Sequence, residues 1–395
     1  MKKIKRIWKL ILLLLLFVLT FAYAMFQGGF VSWFLFYSFL PFAIYCIALS
    51  VYPLSSFDVK RILPKAEYNA GEPLNVTVQF KRENRFPLFY LMMADNLTGE
   101  LRTAKTLVFP GIKKEFSYAY RIEKLPRGEH VFRGITIKTG DLLGLFEKEK
   151  TLITENKINV YPAYTEVSYR PFQNQYDQGL TASSDRVQRD TTMAVGVRDY
   201  QPGDRFSWIN WKASAKRLEI MTKEFEQRQS HDVFVVMDCI PHKNFEAVVS
   251  FTASLVRAIL KKGAQTGLLT VNDERTSFPV RGGEQHLHRL FFHLAKIKAK
   301  SLVPIEKVLE TEFFSLQQTI SYMVITAQLT RSLIEKASVT GLRKGSMTLF
   351  LIKSQEELPT EEEYSLIAVA KARSIRVMLL HEGEFAAAFS EVMVR

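Results

Sequence analysis

The chain has 395 residues, of which 47% are hydrophobic and 24% charged, a balance that excludes a disordered tail and leaves room for two or three folded domains. Its two cysteines, Cys46 and Cys239, cannot form a disulfide framework or a four-cysteine zinc site. The formal charge of +13 points to an anionic partner without naming it.

Lys2, Lys3, Lys5, Arg6 and Lys9 open the chain, and no charged residue or histidine then occurs from Leu10 to Phe57. A bilayer crossing takes about 20 apolar residues. The spacing therefore predicts two crossings, near Trp8–Phe26 and Phe30–Val51, separated by Gln27, Gly28 and Gly29. So short a turn makes a transmembrane helical hairpin over 1–57. Basic residues flank both ends, Lys60, Arg61 and Lys65 on the far side, so the rule of positive cytoplasmic flanks places both ends and the main body inside. Trp33, Tyr45 and Tyr52 are the expected interfacial anchors. The competing reading is a signal peptide, with Ala22-Tyr23-Ala24 as its cleavage site. Five of the positive charges lie in the first nine residues, leaving +8 for the rest, which suits anionic lipid headgroups at the inner leaflet.

Residues 58–168 read as an all-β, sandwich-like module. Alternating runs recur at Leu74–Phe80, Leu88–Met93, Thr106–Phe109, Glu115–Arg121, His130–Lys138 and Lys157–Tyr161. Turn residues separate them, as in Asn69-Ala70-Gly71-Glu72-Pro73 and Phe109-Pro110-Gly111. Asp141-Leu142-Leu143-Gly144-Leu145-Phe146 has the composition of a packed corner between strands, with a ligand loop as the lesser alternative.

Residues 169–230 form a connector. Gln173–Arg189 is polar and without period, as in an exposed loop. Gly196-Val197-Arg198-Asp199-Tyr200-Gln201-Pro202-Gly203-Asp204-Arg205 then forms a strong turn, followed by Ile209-Asn210-Trp211-Lys212-Ala213-Ser214-Ala215-Lys216. The mixed charges favour an internal ion-pair network over an anion site built on arginine forks. Asp204 as a catalytic acid would need a raised pKa.

This stretch resembles the signature of the domain of unknown function 58 family. Members read G-x-R-x-Y-x-P-G-D, then I-x-W-x-A-S-A-R, then F-E. Gly196, Arg198, Tyr200, Pro202, Gly203, Asp204, Ile209, Trp211, Ala213, Ser214, Ala215, Phe225 and Glu226 match, and Lys216 stands where arginine is common. Asp141 to Phe146 resembles the family's D-P-F-G-L-F, with Leu142 and Leu143 replacing proline and phenylalanine. The resemblance implies a membrane hairpin, a β module and a von Willebrand factor A-like domain. It also implies partners, a MoxR-type AAA+ ATPase and a transglutaminase-like membrane protein. It implies no particular reaction.

Residues 231–395 alternate strand and helix, which predicts an open, mostly parallel α/β sheet. The strands fall at His231–Asp238, Gln265–Val271, Ser321–Thr326, Ser346–Ile352 and Ile375–Leu380. The helices fall at Phe245–Lys262, Gln285–Lys300, Arg331–Lys344 and Glu361–Arg373. Ligands of such sheets sit at the carboxyl ends of strands, so Asp238 is the best-placed polar residue. A-type domains of the resembled kind bind magnesium through D-x-S-x-S. Here the run is Asp238-Cys239-Ile240-Pro241-His242, without either serine, and Thr326-Ala327-Gln328 offers no carboxylate. Asp238 is thus a weak metal candidate and a better hydrogen-bond acceptor. His286, His288 and His293 lack metal-ligand order and read as surface or capping residues. No Walker loop, nucleophile elbow or dinucleotide fingerprint occurs.

The reading is a membrane-anchored, non-catalytic adaptor with no cofactor. It binds a protein through Gly196, Arg198, Tyr200, Pro202, Gly203, Asp204, Trp211, Ser214, Lys216, Glu226 and Asp238. The alternative is a hydrolase using Asp238 or Asp204. Nucleic-acid binding ranks last, because the basic residues form no single stripe interleaved with aromatics.

Overall fold

The computed structural model describes residues 2–98, 105–141, 144, 146–170, 194–201, 204–225, 232–272, 274–312, 320–344 and 347–389. The Gln173–Arg189 loop, Pro202, Gly203 and Glu226 lie outside the described residues. The chain divides into two compact units, Met1–Ala163 and Tyr164–Arg395.

The first unit begins with helix α1 (Lys2–Gln27) and helix α2 (Phe30–Val51). By length and composition, α2 can cross a membrane, whereas the apolar part of α1, Ile11–Gln27, is shorter. Pro41 lies inside α2, a position lipid-facing helices tolerate. Phe17 and Phe21 of α1 both pack on the Phe36 ring, with centroids 5.5 Å apart.

Eight strands follow: β1 (Phe57–Ile62), β2 (Glu67–Asn69), β3 (Leu74–Arg82), β4 (Leu91–Leu97), β5 (Thr106–Val108), β6 (Glu115–Ile122), β7 (Gly128–Gly140) and β8 (Glu147–Tyr161). They form two sheets, β1-β3-β6 and β2-β8-β7-β4-β5. Strand β3 alternates buried and exposed residues because one of its faces meets the core. Leu74, Val76, Val78 and Phe80 of that face share a core with Leu91, Met93, Phe132, Ile135, Ile137 and Val160 from the second sheet. The run at Lys157–Tyr161 is only the last third of β8. Its first part, Glu-Lys-Glu-Lys, is charged and largely exposed, so hydrophobic alternation could not mark it.

Leu49, Tyr52, Leu54 and Phe57 belong to the same core, so the end of α2 is embedded in the β module. Lys148 secures it. Its Nζ donates to the carbonyls of Leu49, Ser50 and Tyr52 at 3.2, 2.6 and 2.6 Å. Terminal helix carbonyls lack intrahelical partners and favour a cation, and this lysine supplies both needs. Of the corner at 141–146, Leu142, Leu143 and Leu145 lie outside the described residues, while Asp141 and Phe146 bond to each other. Asp141 Oδ1 accepts from Phe146 N at 2.6 Å, and Gly144 adopts φ +68°.

The second unit carries β9 (Ala194–Asp199), α3 (Trp211–Arg217) and β10 (Met221–Phe225). It continues through β11 (Val233–Met237), α4 (Phe245–Lys261), β12 (Thr266–Val271), β13 (Arg275–Arg281), α5 (Glu284–Lys296) and α6 (Ile305–Glu312). It closes with β14 (Ser321–Thr326), α7 (Arg331–Lys344), β15 (Met347–Lys353), α8 (Glu361–Ala372) and β16 (Arg376–His381).

The large sheet runs β13-β12-β11-β14-β15-β16. All neighbours are parallel except β12 and β13. Every residue of β11 and β15 is buried, as in strands covered on both faces. The edge strand β13 and helix α6 were not expected from the sequence. Strand β13 contains Pro279 between charged ends and alternates in exposure, which only an edge position allows. The strand order reverses between β11 and β14, opening a crevice at their carboxyl ends.

Candidate functional site

Two constellations in the second unit carry the residues singled out in the sequence. One is the signature ribbon and the other is the carboxyl rim of the sheet.

Strands β9 and β10 pair antiparallel, Asp199 against Met221 and Arg198 against Thr222. The segment between them folds back on the pair. Arg198 Nη2 donates to Asp204 Oδ1 at 2.7 Å, and Gln201 N donates to Asp204 Oδ2 at 3.1 Å. The Arg198 hydrogen bond, followed by that of Gln201, holds the Asp204 carboxyl below the usual aspartate range. That shift is opposite to what a catalytic acid needs.

Asn210 caps α3 through Oδ1, which accepts from Ala213 N at 3.3 Å. Ser214 Oγ donates to Asn210 O at 3.0 Å and accepts from Met221 N at 2.9 Å. Tyr200 N donates to Ile220 O at 2.9 Å, and Asn210 N donates to Met221 O at 2.8 Å. The polar groups Arg198, Asp204, Asn210 and Ser214 therefore hold the ribbon in shape. Gly196 lies in β9 opposite Glu224, and Lys216 is exposed on the last turn of α3.

Ile209 and Met221 of the ribbon are buried, whereas other apolar side chains face solvent. Phe206 is 77% exposed, Trp211 69% and Leu218 93%, with Ile220 also exposed. Leu218 ends α3 in the left-handed conformation, φ 61° and ψ 15°. That position favours glycine, because a Cβ there costs about 1–2 kcal/mol. A large apolar residue is kept both strained and bare to solvent. Arg205, Lys212, Lys216, Arg217 and Lys223 belong to the same stretch of chain.

At the rim, Asp238 follows β11 and is half-buried at the switch point of the sheet. Its N–H donates to Ile325 O at 2.9 Å. Oδ1 accepts from Ile240 N at 3.0 Å, and Oδ2 accepts from the Thr326 hydroxyl at 2.7 Å. Burial raises the carboxyl pKa, and these two hydrogen bonds oppose it only in part. His242, Phe245, Val248, Ala327 and Gln328 complete a small cleft around it. His242 Nδ1 accepts from Asn244 N at 3.1 Å.

A second rim network was not legible in the sequence. Buried Lys353, at the end of β15, donates from Nζ to Glu363 Oε1 at 2.6 Å. Glu357 Oε2 accepts from Asn244 Nδ2 at 2.8 Å and from Ser354 Oγ at 3.1 Å, and pairs with Lys243 Nζ at 3.2 Å. Burial alone would raise the Glu357 pKa. The hydrogen bonds from Asn244, Lys243 and Ser354, with the Lys353 charge, overcome it and bring the carboxyl down to about 2. The network ties the loop after β15 to the loop after β11. The only sequence signal for it was Thr360-Glu361-Glu362-Glu363, the capping box that opens α8.

Two of the three histidines correct one expectation, whereas His288 is exposed as expected. His286 is buried and its Nε2 lies 2.8 Å from Thr266 O, while His293 Nε2 lies 2.7 Å from Thr270 Oγ1. They join α5 to β12 and are not surface or capping residues. They lie on the helix face that packs against β12, which single-residue inspection could not show. Among the described residues, no three His, Cys, Asp or Glu side chains are grouped to hold a metal ion.

The family description "Protein of unknown function DUF58" matches residues 196–392, from the first glycine of the ribbon through the sheet. "Uncharacterized protein YeaD" of Bacillus subtilis (strain 168) is 40% identical over 385 residues, 95% of this chain and 96% of the relative. The chain belongs to the DUF58 family. Among solved structures, a beta-glucosidase from Listeria innocua matches 26% of this chain and 16% of its own, at 17% identity and a TM-score of 0.18. The sporulation control protein Spo0M of Bacillus subtilis matches 27% of this chain and 49% of its own, at 18% identity and a TM-score of 0.15. Superpositions at that level carry no argument about fold or activity.

Proposed function

We propose that this DUF58 protein is a membrane-anchored, non-enzymatic adaptor whose signature ribbon docks a protein partner. The observation that carries the reading is Leu218, an apolar side chain held in a strained left-handed cap and fully presented on the ribbon that also exposes Trp211 and Phe206. Strain of this kind is retained where it serves a site. Exposed aromatics with basic neighbours have the composition of interface hot spots. The partner is a MoxR-type AAA+ ATPase, the candidate that the family resemblance names, with a transglutaminase-like membrane protein beside it. In this reading α1 and α2 form a transmembrane hairpin with the main body on the cytoplasmic side. The first-unit sheets act as a sandwich-like spacer, and the large sheet is von Willebrand factor A-like. The sheet's order and its antiparallel third strand support that last assignment.

The hydrolase alternative rests on Asp238, whose carboxyl is raised by burial next to the cleft. Against it, both Asp238 oxygens already accept hydrogen bonds.

The test is co-purification of the full chain, in detergent, with a purified MoxR-type ATPase. Wild type binds, and Trp211→Ala combined with Leu218→Ser weakens binding about 30-fold, the loss of one hot spot. Absence of wild-type binding, or an unchanged affinity in the double variant, would sink the proposal.

A further inference from the structure

The junction of α2 with the β module sets where the bilayer surface falls. Tyr45 stacks on Phe86 and packs on Phe89, with ring centroids 5.7 and 4.5 Å apart. Tyr45 lies six residues before the end of α2, about 9 Å back along its axis. On the same turns, Ile44, Ile47 and Val51 point away from the module and are exposed. If α2 spans a membrane, those three side chains belong in lipid. The loop that touches Tyr45 then lies below the level of Val51, at the depth of the bilayer interface.

A second loop comes with it. Leu88 and Gly111 exchange backbone hydrogen bonds of 3.0 and 3.1 Å, which joins residues 85–90 to residues 109–114. The tips carry Phe109, 71% exposed, and Ile112, 66% exposed, beside exposed Phe89. Backbone entering a medium of low polarity must have its polar groups satisfied within the protein. Buried Arg82 does this for the pair. Its Nε donates to Lys113 O, Nη1 to Phe86 O and Nη2 to Gly111 O, each at 2.7 Å. Exposed Arg85, Lys113 and Lys114 border the tips and suit anionic headgroups.

We propose that the loops at 85–90 and 109–114 form a wedge seated in the bilayer interface, with Phe109, Ile112 and Phe89 inserted beside α2. The inference rests on the reading of α2 as a membrane span and extends it. The β module is then held against the lipid surface, not suspended on a tether.

The experiment reconstitutes the full chain, with buried Cys46 and Cys239 replaced by alanine, into vesicles of phosphatidylcholine and phosphatidylglycerol. Nitroxide labels are placed singly through Ile112→Cys, Phe109→Cys, Ile44→Cys and Glu123→Cys. Glu123 lies past the far end of β6 and is exposed. Collision with dissolved oxygen reports lipid, and collision with a water-soluble nickel chelate reports water. Labels at Ile112 and Phe109 lose nickel collision and gain oxygen collision, as the Ile44 label does, whereas the Glu123 label keeps its nickel collision. An Ile44 label in lipid with Ile112 and Phe109 in water would overturn the wedge alone. An Ile44 label in water would overturn the span, and the wedge with it.

Discussion

The protein contains one chemical pair in two settings. Arg61 and Asp95 meet in the first-unit core, with Nε to Oδ2 at 2.9 Å, Nη2 to Oδ1 at 2.6 Å and both side chains fully buried. Arg198 and Asp204 meet on the signature ribbon at 2.7 Å, with the arginine one-third exposed. The buried pair is surrounded by further partners. Arg61 also donates to Thr154 O and Asn156 Oδ1, its guanidinium lies 4.6 Å from the Phe132 ring centroid, and the Tyr120 hydroxyl donates to Asp95 Oδ2. The ribbon pair is less enclosed, with the Asp204 side chain covered and part of Arg198 open to solvent, and it shapes a turn. The same two residue types thus lock a core in one unit and present a surface in the other.

The contrast can be broken at its strongest point first. Asp95→Ala strands a buried guanidinium and is expected to cost about 3–5 kcal/mol, read by chemical denaturation of the detergent-solubilised chain. A loss no larger than that of a surface substitution would refute the core role.

At the sheet rim, Lys353→Met leaves Glu363 without its cation and is expected to cost about 2–3 kcal/mol in the same assay. The pH profile sharpens this. Glu357 has a depressed pKa, so its contribution is present above the ordinary glutamate value of about 4.3 and is lost as pH falls toward 2. Thermal midpoints measured from pH 5 down to pH 2 fall in wild type, and Glu357→Gln flattens that part of the curve.

Asp238 separates acceptor from charge. Asp238→Ala orphans the Ile240 N–H and takes one acceptor from the Thr326 hydroxyl, which keeps Gln328 O at 2.9 Å, and costs about 1–3 kcal/mol. Asp238→Asn retains an acceptor and removes a carboxylate that burial disfavours, so its thermal midpoint at neutral pH stays level or rises. A sharp fall for the asparagine variant would show that the negative charge itself is needed.

The smallest effect has the opposite sign. Leu218→Gly relieves the left-handed cap and is expected to stabilise by about 1 kcal/mol while weakening partner binding. Stabilisation with unchanged binding would remove the functional explanation for the strain.

Much of the architecture was legible along the chain. The uncharged run marked α2, the alternation marked β3 and β6, and the buried runs marked β11, β14 and β15, because burial on one or both faces leaves a periodic trace in composition. The ribbon could be located but not divided by role. Arg198, Asp204 and Ser214 face their own turn, while Trp211 and Leu218 face solvent, and spacing alone does not say which way a side chain points.

Most elements of the large sheet, their order and the apolar helix follow from local chemistry, since periodicity, turn residues and charge act over a few positions. The partners of Arg61, Arg82, Lys148 and Lys353 lie between 4 and 99 positions away, and only folding brings those donors and acceptors together. A lone lysine or arginine reads as a solvated surface residue until the fold removes its water and supplies carbonyls or carboxylates in its place.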